Sequence, residues 1–190
     1  MTVPTIEALA RRRSRYALGR NVALPRAGIE ALVRQAVRLA PSTYNSQGSR
    51  AVILFGAHSL RFWDLVLATL RPLVPPEKIA STERRMAAFA AGVGTILFFE
   101  DAEVQRGLEA QYPAIAENFA AFSEQASGMA QLAVWMALAD AGIGASLQHY
   151  NPLVDAEVAR IWDLPAHWRL RAQMPFGSIE GESGEKSFIP

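Results

Sequence analysis

The chain has 190 residues, 51% of them apolar and 19% charged, with 19 Lys and Arg against 18 Asp and Glu and no cysteine. Those proportions exclude a disordered or collagen-like chain, and a net charge of +1 leaves no broad basic footprint for nucleic acid. Without cysteine there are no disulfides, no thiolate nucleophile and no cysteine-held metal centre.

The opening run MTVPTIEALARRRSR has no apolar stretch ahead of a small-residue cleavage site, which points to the cytoplasm. Within it Thr5 is expected to cap a short helix that runs into the arginines. Pro25 and Arg26 open a second helix, where Ile29, Leu32, Val33, Ala36, Val37 and Ala40 recur at three- and four-residue spacing, until Pro41 ends it. Residues 51–55 and 94–99 lack polar alternation and read as strands buried on both faces. Helices are expected over 60–70 and 76–91, and another over 101–111 with Asp101 as its cap. A long helix over 122–141 is apolar on nearly every side through Met129 to Ala141, so it should be packed all round, with Gly142 closing it. Its longest unbroken apolar run, residues 132–139, is far below the roughly 20 residues that cross a bilayer, so no membrane partner is expected. Strands at 145–149 and 170–176 bracket a helix at 155–162. This order predicts an α+β domain over residues 1–190, a central mixed sheet of four to five strands flanked by helices. The apolar surplus predicts a homodimer.

Most catalytic signatures are missing. Gly142 and Gly144 follow a helix and precede a strand, with Leu147 where a third glycine should stand, the reverse of a dinucleotide-binding turn. Phosphate-loop, esterase-elbow and zinc-protease patterns do not occur. His58, His149 and His167 are too scattered to suggest a metal site. Glu100 and Asp101 are adjacent carboxylates, but neighbours at a strand end diverge, so the helix-cap reading is preferred to an acid–base pair.

Four polar stretches remain, each with two readings. RRRSRYALGR (residues 11–20) offers guanidinium forks that grip phosphate, or else a solvated helix end. PSTYNSQGS (41–49) offers hydroxyls and amides to a planar ligand with several acceptors, or is an ordinary loop. GASLQHY (144–150) offers backbone amides and Gln148 beside a histidine that is more often structural. The tail SIEGESGEKSFIP carries Lys186, or is a frayed terminus.

Taken together, R-R-S-x-Y-A-L-G, P-S-x-x-N-S-Q, G-x-G-T-I-L-F-F-E, G-x-G-A-S-L-Q-H-Y-N-P and M-P-F-G stand in the order and spacing of a known family. The chain resembles the nitroreductase family, in particular its short branch that includes a yeast fatty-acid-repression protein. The resemblance implies an FMN enzyme, a homodimer with two flavins at its interface, that uses NADH or NADPH to reduce a small aromatic or quinone acceptor in a two-step hydride cycle. The flavin would carry the chemistry with no separate catalytic side chain. It further implies that Arg12, Arg13 and Ser14 hold the phosphate and ribityl chain, with Lys186 reaching the phosphate. Pro41, Ser42, Thr43 and Asn45 would come from the other subunit, with Gln47 near the ring. Ser146, Leu147, Gln148 and His149 would line the ring edge. Two alternatives stay open: a flavin-binding sensor or regulator with little turnover, and a non-redox protein that binds an anion or nucleic acid through residues 11–15.

Overall fold

Every residue of Gly94–Asp101 is buried, and around this strand the rest is arranged in the computed structural model, which describes residues 3–189. The elements in chain order are α1 (Pro4–Arg11), β1 (Leu18–Gly19), α2 (Arg26–Leu39), β2 (Ser49–Phe55), α3 (Ala57–Leu70), α4 (Pro76–Ala90), β3 (Gly94–Asp101), α5 (Ala102–Gln111), α6 (Phe119–Asp140), β4 (Gly144–Ala145), α7 (Asp155–Ile161) and β5 (Trp168–Ile179). Short 3-10 turns occupy Thr43–Asn45 and Pro113–Asn118.

The strands lie in the order β1-β5-β3-β2, with β4 also paired to β5. Successive side chains of β3 point to opposite faces. Ile96 and Phe98 join Ile29, Val33, Val134 and Leu138 of α2 and α6 on one side. Leu97 and Phe99 join Phe62, Trp63, Met86 and Phe89 of α3 and α4 on the other. Each such side chain contributes roughly 1.5–3 kcal/mol by leaving water, so a strand buried on both faces anchors two cores at once. The polar Thr95 fits there because its hydroxyl accepts from Trp63 Nε1 at 2.8 Å and pairs with Ser59 Oγ at 2.8 Å.

The α+β class is as expected, but the sheet is not mixed: every ladder is antiparallel. For β2 and β3 the reason is the helical hairpin α3–α4. Phe55 ends β2 opposite Gly94, the start of β3, so two helices return the chain to the end of the sheet it left. The parallel contact is an isolated bridge between Ser14 and Ala145.

Several expectations shift in detail. Thr5 lies inside α1, whose N-cap is Val3 without a side-chain bond, because Pro4 starts the helix two residues earlier than a Thr5 cap would. Asp101 caps α5 as expected, its carboxylate accepting the Glu103 N–H at 3.0 Å. β2 is half-buried along most of its length because it is an edge strand, where burial on both faces was expected. The strand expected at 145–149 shortens to Gly144–Ala145 followed by a bridge between Gln148 and Gln173. α6 begins at Phe119, and it is not packed all round: Ala126, Ala130, Val134 and Leu138 are buried while Met129 is 40% and Leu132 43% exposed on another face.

Candidate functional site

Arg12 sits where α1 stops, its backbone already extended. The next residues run along β4: Ser14 bridges Ala145, and the Arg15 N–H donates to the Ala145 carbonyl at 2.9 Å. Gly144 permits this approach, since a β-carbon there would meet the Ile179 side chain at 2.9 Å and Arg15 at 3.1 Å. The Arg12 guanidinium lies over the Trp135 ring of α6, 4.2 Å from its centroid, and Arg12 Nε is buried with no partner. A buried guanidinium nitrogen left unpaired is costly, and Arg171 Nε is in the same condition. Arg13 donates to the Gly184 carbonyl at 2.5 Å and Arg15 to that of Gly181 at 3.2 Å, which draws the C-terminal tail over the arginines. A cleft of about 500 Å³ results, lined by Arg12, Arg13, Ser14, Tyr16 and the tail residues through Lys186. Glu182 and Glu185 line it too, so three cations face two carboxylates.

The segment after β4 continues from this cleft. Ser146 N–H donates to Pro175 O at 3.3 Å and Gln148 N–H to Gln173 O at 2.7 Å. Along an extended segment N–H groups alternate in direction, so those of Leu147 and His149 point away from β5. Gln148 Nε2 donates to Ser146 Oγ at 3.1 Å. Leu147 packs against the core beside α6, and His149 is exposed. Beneath lies Gln173, wholly buried, whose Oε1 accepts the Tyr150 N–H at 2.7 Å and whose Nε2 donates to Asn151 Oδ1 at 3.2 Å. Sequence reading passed over Gln173, though a lone amide inside the apolar run of β5 was a usable signal.

The loop 41–48 is built differently. Ser42 Oγ accepts the Gln47 N–H at 2.9 Å, the Asn45 N–H donates to Ser42 O at 2.9 Å, and Arg50 donates to Gln47 O at 2.6 Å. Tyr44, Asn45 and Gln47 have φ of 54°, 51° and 52°, the left-handed region that non-glycine residues rarely adopt. Such strain persists only where the surroundings over-determine it and concentrates at ligand sites. Tyr44 is exposed and stacks on Tyr112 with ring centroids 4.5 Å apart. Pro41, Ser42 and Gln47 line a recess with Ala126 of α6.

Within one chain, therefore, the expected site residues fall into two sets. Arg12, Arg13, Ser14, Ser146, Leu147, Gln148, His149 and Lys186 share the cleft and the segment adjoining it. Pro41, Ser42, Thr43, Asn45 and Gln47 form the other set. Ala126 beside the loop and Trp135 beneath Arg12 are nine positions apart on α6, roughly 13 Å along its axis.

Two carboxylates lie near the loop. Asp101 pairs with Arg50 at 3.0 Å and faces His167 at 3.7 Å, which in turn faces Glu103 at 3.6 Å. Because Asp101 also caps α5 and Arg50 already supplies its cation, this cluster is explained by structure alone. Glu100 is 3% exposed, and burial pushes its carboxyl above the ordinary 4.5; Glu124 acts the same way, while hydrogen bonds from Ser49 and Ser123 and the charge of Arg171 oppose the rise.

Against known proteins, the model of the Nitroreductase family matches residues 9–178. The Saccharomyces cerevisiae protein HBN1 is 35% identical over 161 residues, covering 85% of this chain and 79% of the relative. Among solved structures, nitroreductase CinD from Lactococcus lactis in complex with chloramphenicol superposes with a TM-score of 0.87 at 45% identity, covering 98% of this chain and 95% of that one. CinD has also been solved in complex with 4-nitrophenol. A nitroreductase with bound FMN from Desulfitobacterium hafniense, 18% identical with a TM-score of 0.71 over 100% of this chain and 95% of that one, shares the fold.

Proposed function

Because this chain belongs to the nitroreductase family, we propose that it is an FMN-dependent oxidoreductase that takes a hydride from NADH or NADPH and passes it to a small nitroaromatic or quinone acceptor. The observation that carries the reading is a cleft lined by the cationic side chains of Arg12, Arg13 and Lys186 together with Ser14. A flavin phosphate bears close to two negative charges and asks for charge-assisted donors, and this donor set fits it. Arg12, Arg13 and Lys186 hold the phosphate, and Ser14 reaches the ribityl chain.

The ring then lies along residues 146–149, where the outward N–H groups of Leu147 and His149 donate to its acceptor edge. The bridge from Gln148 to Gln173 keeps that edge rigid. Bound FMN supplies hydride transfer; the chain has to orient it, stabilise negative charge and leave one face open. Pro41, Ser42, Thr43, Asn45 and Gln47 reach the ring from a second copy of the chain, because within one copy they stand too far along α6.

A homodimer accounts for the exposed face of α6. Met129 and Leu132 line up with Ala121 and Gly128 at helical spacing, and small residues in such a stripe allow close contact between two copies of α6. The CinD complexes with chloramphenicol and 4-nitrophenol support a flat aromatic acceptor on the open face of the ring. The working place is the cytoplasm, consistent with a chain in which no helix among the described residues is long and apolar enough to cross a membrane.

The test is spectroscopic and kinetic. Gently purified protein should carry bound flavin, seen in its visible absorbance, and should oxidise NADH or NADPH when a quinone or nitroaromatic acceptor is added. Colourless protein that takes up no added FMN overturns the reading. A yellow protein that turns over with neither nucleotide overturns the enzymatic part alone.

A further inference from the structure

Glu100 has no part in the proposed chemistry, yet it is an ionisable side chain in a strand whose other polar residues are Thr95 and Asp101, 3% exposed, directly beneath the loop 41–48. Its Oε1 accepts from Ser49 Oγ at 2.5 Å, at the start of β2 where the loop ends. Its Oε2 accepts from Ser123 Oγ of α6 at 2.7 Å. Gly48 presses on the same carboxyl, since a β-carbon there would lie 3.3 Å from Oε2. Thr43 and Ser46 of the loop line the small cavity around it. One side chain thus ties two pieces together, the start of the edge strand where the loop ends and the helix along which the two site sets are spaced. The loop needs such a tie, because three of its residues are held in the left-handed region without being glycine.

We propose that Glu100 is a positioning residue for the flavin site: the carboxyl clamped between Ser49 and Ser123 fixes the loop 41–48 in the strained shape that presents Ser42, Thr43, Asn45 and Gln47 to the ring. The inference rests on the functional reading above for the word flavin, but its structural half, the clamp on the loop, stands separately. An apolar residue of similar size would fill the space and leave both serine hydroxyls without their shared acceptor. A glutamine keeps one acceptor and one donor, so it can hold both serines once one hydroxyl turns round. This ordering distinguishes positioning from plain packing.

The experiment compares Glu100→Ala, Glu100→Gln and Ser123→Ala with the unaltered protein by amide hydrogen exchange on the flavin-free form and by FMN titration. Glu100→Ala should accelerate exchange at Asn45, Ser46 and Gln47 while leaving the β3–β5 ladder protected, and should weaken FMN binding about tenfold. Glu100→Gln should restore most of both losses. Ser123→Ala, a milder change in case Glu100→Ala does not fold, should fall between them. Exchange in the loop that is unchanged in Glu100→Ala, or equally fast in Glu100→Gln and Glu100→Ala, overturns the proposal. If the unaltered protein takes up no FMN, the functional reading fails and the exchange data alone decide on the clamp.

Discussion

The two halves of the candidate site are built on opposite physical terms. The cleft under the tail is cationic, extended and made by side chains: Arg12 on Trp135, Arg13 and Arg15 tied to tail carbonyls, Lys186 at the rim. The loop 41–48 carries no ionised side chain, is strained, and runs into Ser49, whose hydroxyl donates to one buried carboxyl. A charge-based half tolerates imprecise geometry, because Coulomb attraction falls off slowly with distance; a hydrogen-bonding half does not, because its donors must be aimed. The contrast assigns the larger part of the affinity to the cleft, and ring orientation with a smaller part of the affinity to the loop.

The sharpest way to break that division is the double variant Arg12→Ala, Arg13→Ala. Removing two charge-assisted partners of a phosphate, each contributing about 1.5–3 kcal/mol, should weaken FMN binding by more than about 100-fold. The fold should survive, since the two side chains belong to neither core cluster. Far-UV circular dichroism with FMN titration reads both results. Full retention of flavin would move affinity away from the cleft.

A smaller effect belongs to the loop. Ser42→Ala removes the acceptor for the Gln47 N–H, worth about 1 kcal/mol. On the division above it should lower turnover with a bulky acceptor about fivefold while changing FMN affinity less, because the ring is tilted but the phosphate stays gripped. Steady-state kinetics beside FMN titration checks this. Equal losses in affinity and turnover would erase the distinction between the halves.

The buried carboxyl adds a pH signature. Glu100 and Asp155 are both raised above their ordinary values, 4.5 and 3.8, first of all by burial, with Arg171 opposing in each case. A raised acid is favoured neutral in the folded state, so its stabilising contribution is complete below the unfolded value and is lost as pH rises through the folded one. The groups facing Glu100 are Glu124 and Arg171, themselves paired. Thermal midpoints should therefore fall as pH climbs from about 4.5 into the folded-state titration, and Glu100→Gln should fall less steeply than the unaltered protein. Parallel curves would mean that Glu100 does not titrate in this range.

These regions were also unequally legible in the sequence. β3 was readable as a strand from its apolar run, although the same pattern in β2 belongs to an edge strand, and the Asp101 cap followed from its place before a helical pattern. The cleft was readable because clustered arginines advertise themselves. The clamp was not: Glu100 stands 51 residues from Ser49 and 23 from Ser123 in sequence, and beside Asp101 it looked like half of a cap. The direction of β2 against β3 was hidden for a related reason, since the return path of α3–α4 makes that pair antiparallel. The exposed face of α6 was likewise hidden, because an all-round apolar helix looks the same whether its second wall is its own chain or another.

The smallest predicted change runs the other way. Glu182 and Glu185 set two carboxylates in the same cleft as Lys186 and the arginines, so each repels an incoming phosphate. Both are exposed, and exposed charges in high dielectric interact weakly and are screened by salt. The double variant Glu182→Gln, Glu185→Gln should therefore bind FMN only about two- to threefold more tightly at low ionic strength, and the gain should vanish once the salt concentration brings the Debye length below about 5 Å. Arg12→Ala, in contrast, should keep most of its loss in salt, because its guanidinium acts through a partly buried atom that screening does not reach. Should the glutamine variant bind FMN no better than the unaltered protein at low salt, the tail does not lie over the phosphate in solution, and Lys186 drops out of the cleft while Arg12 and Arg13 remain.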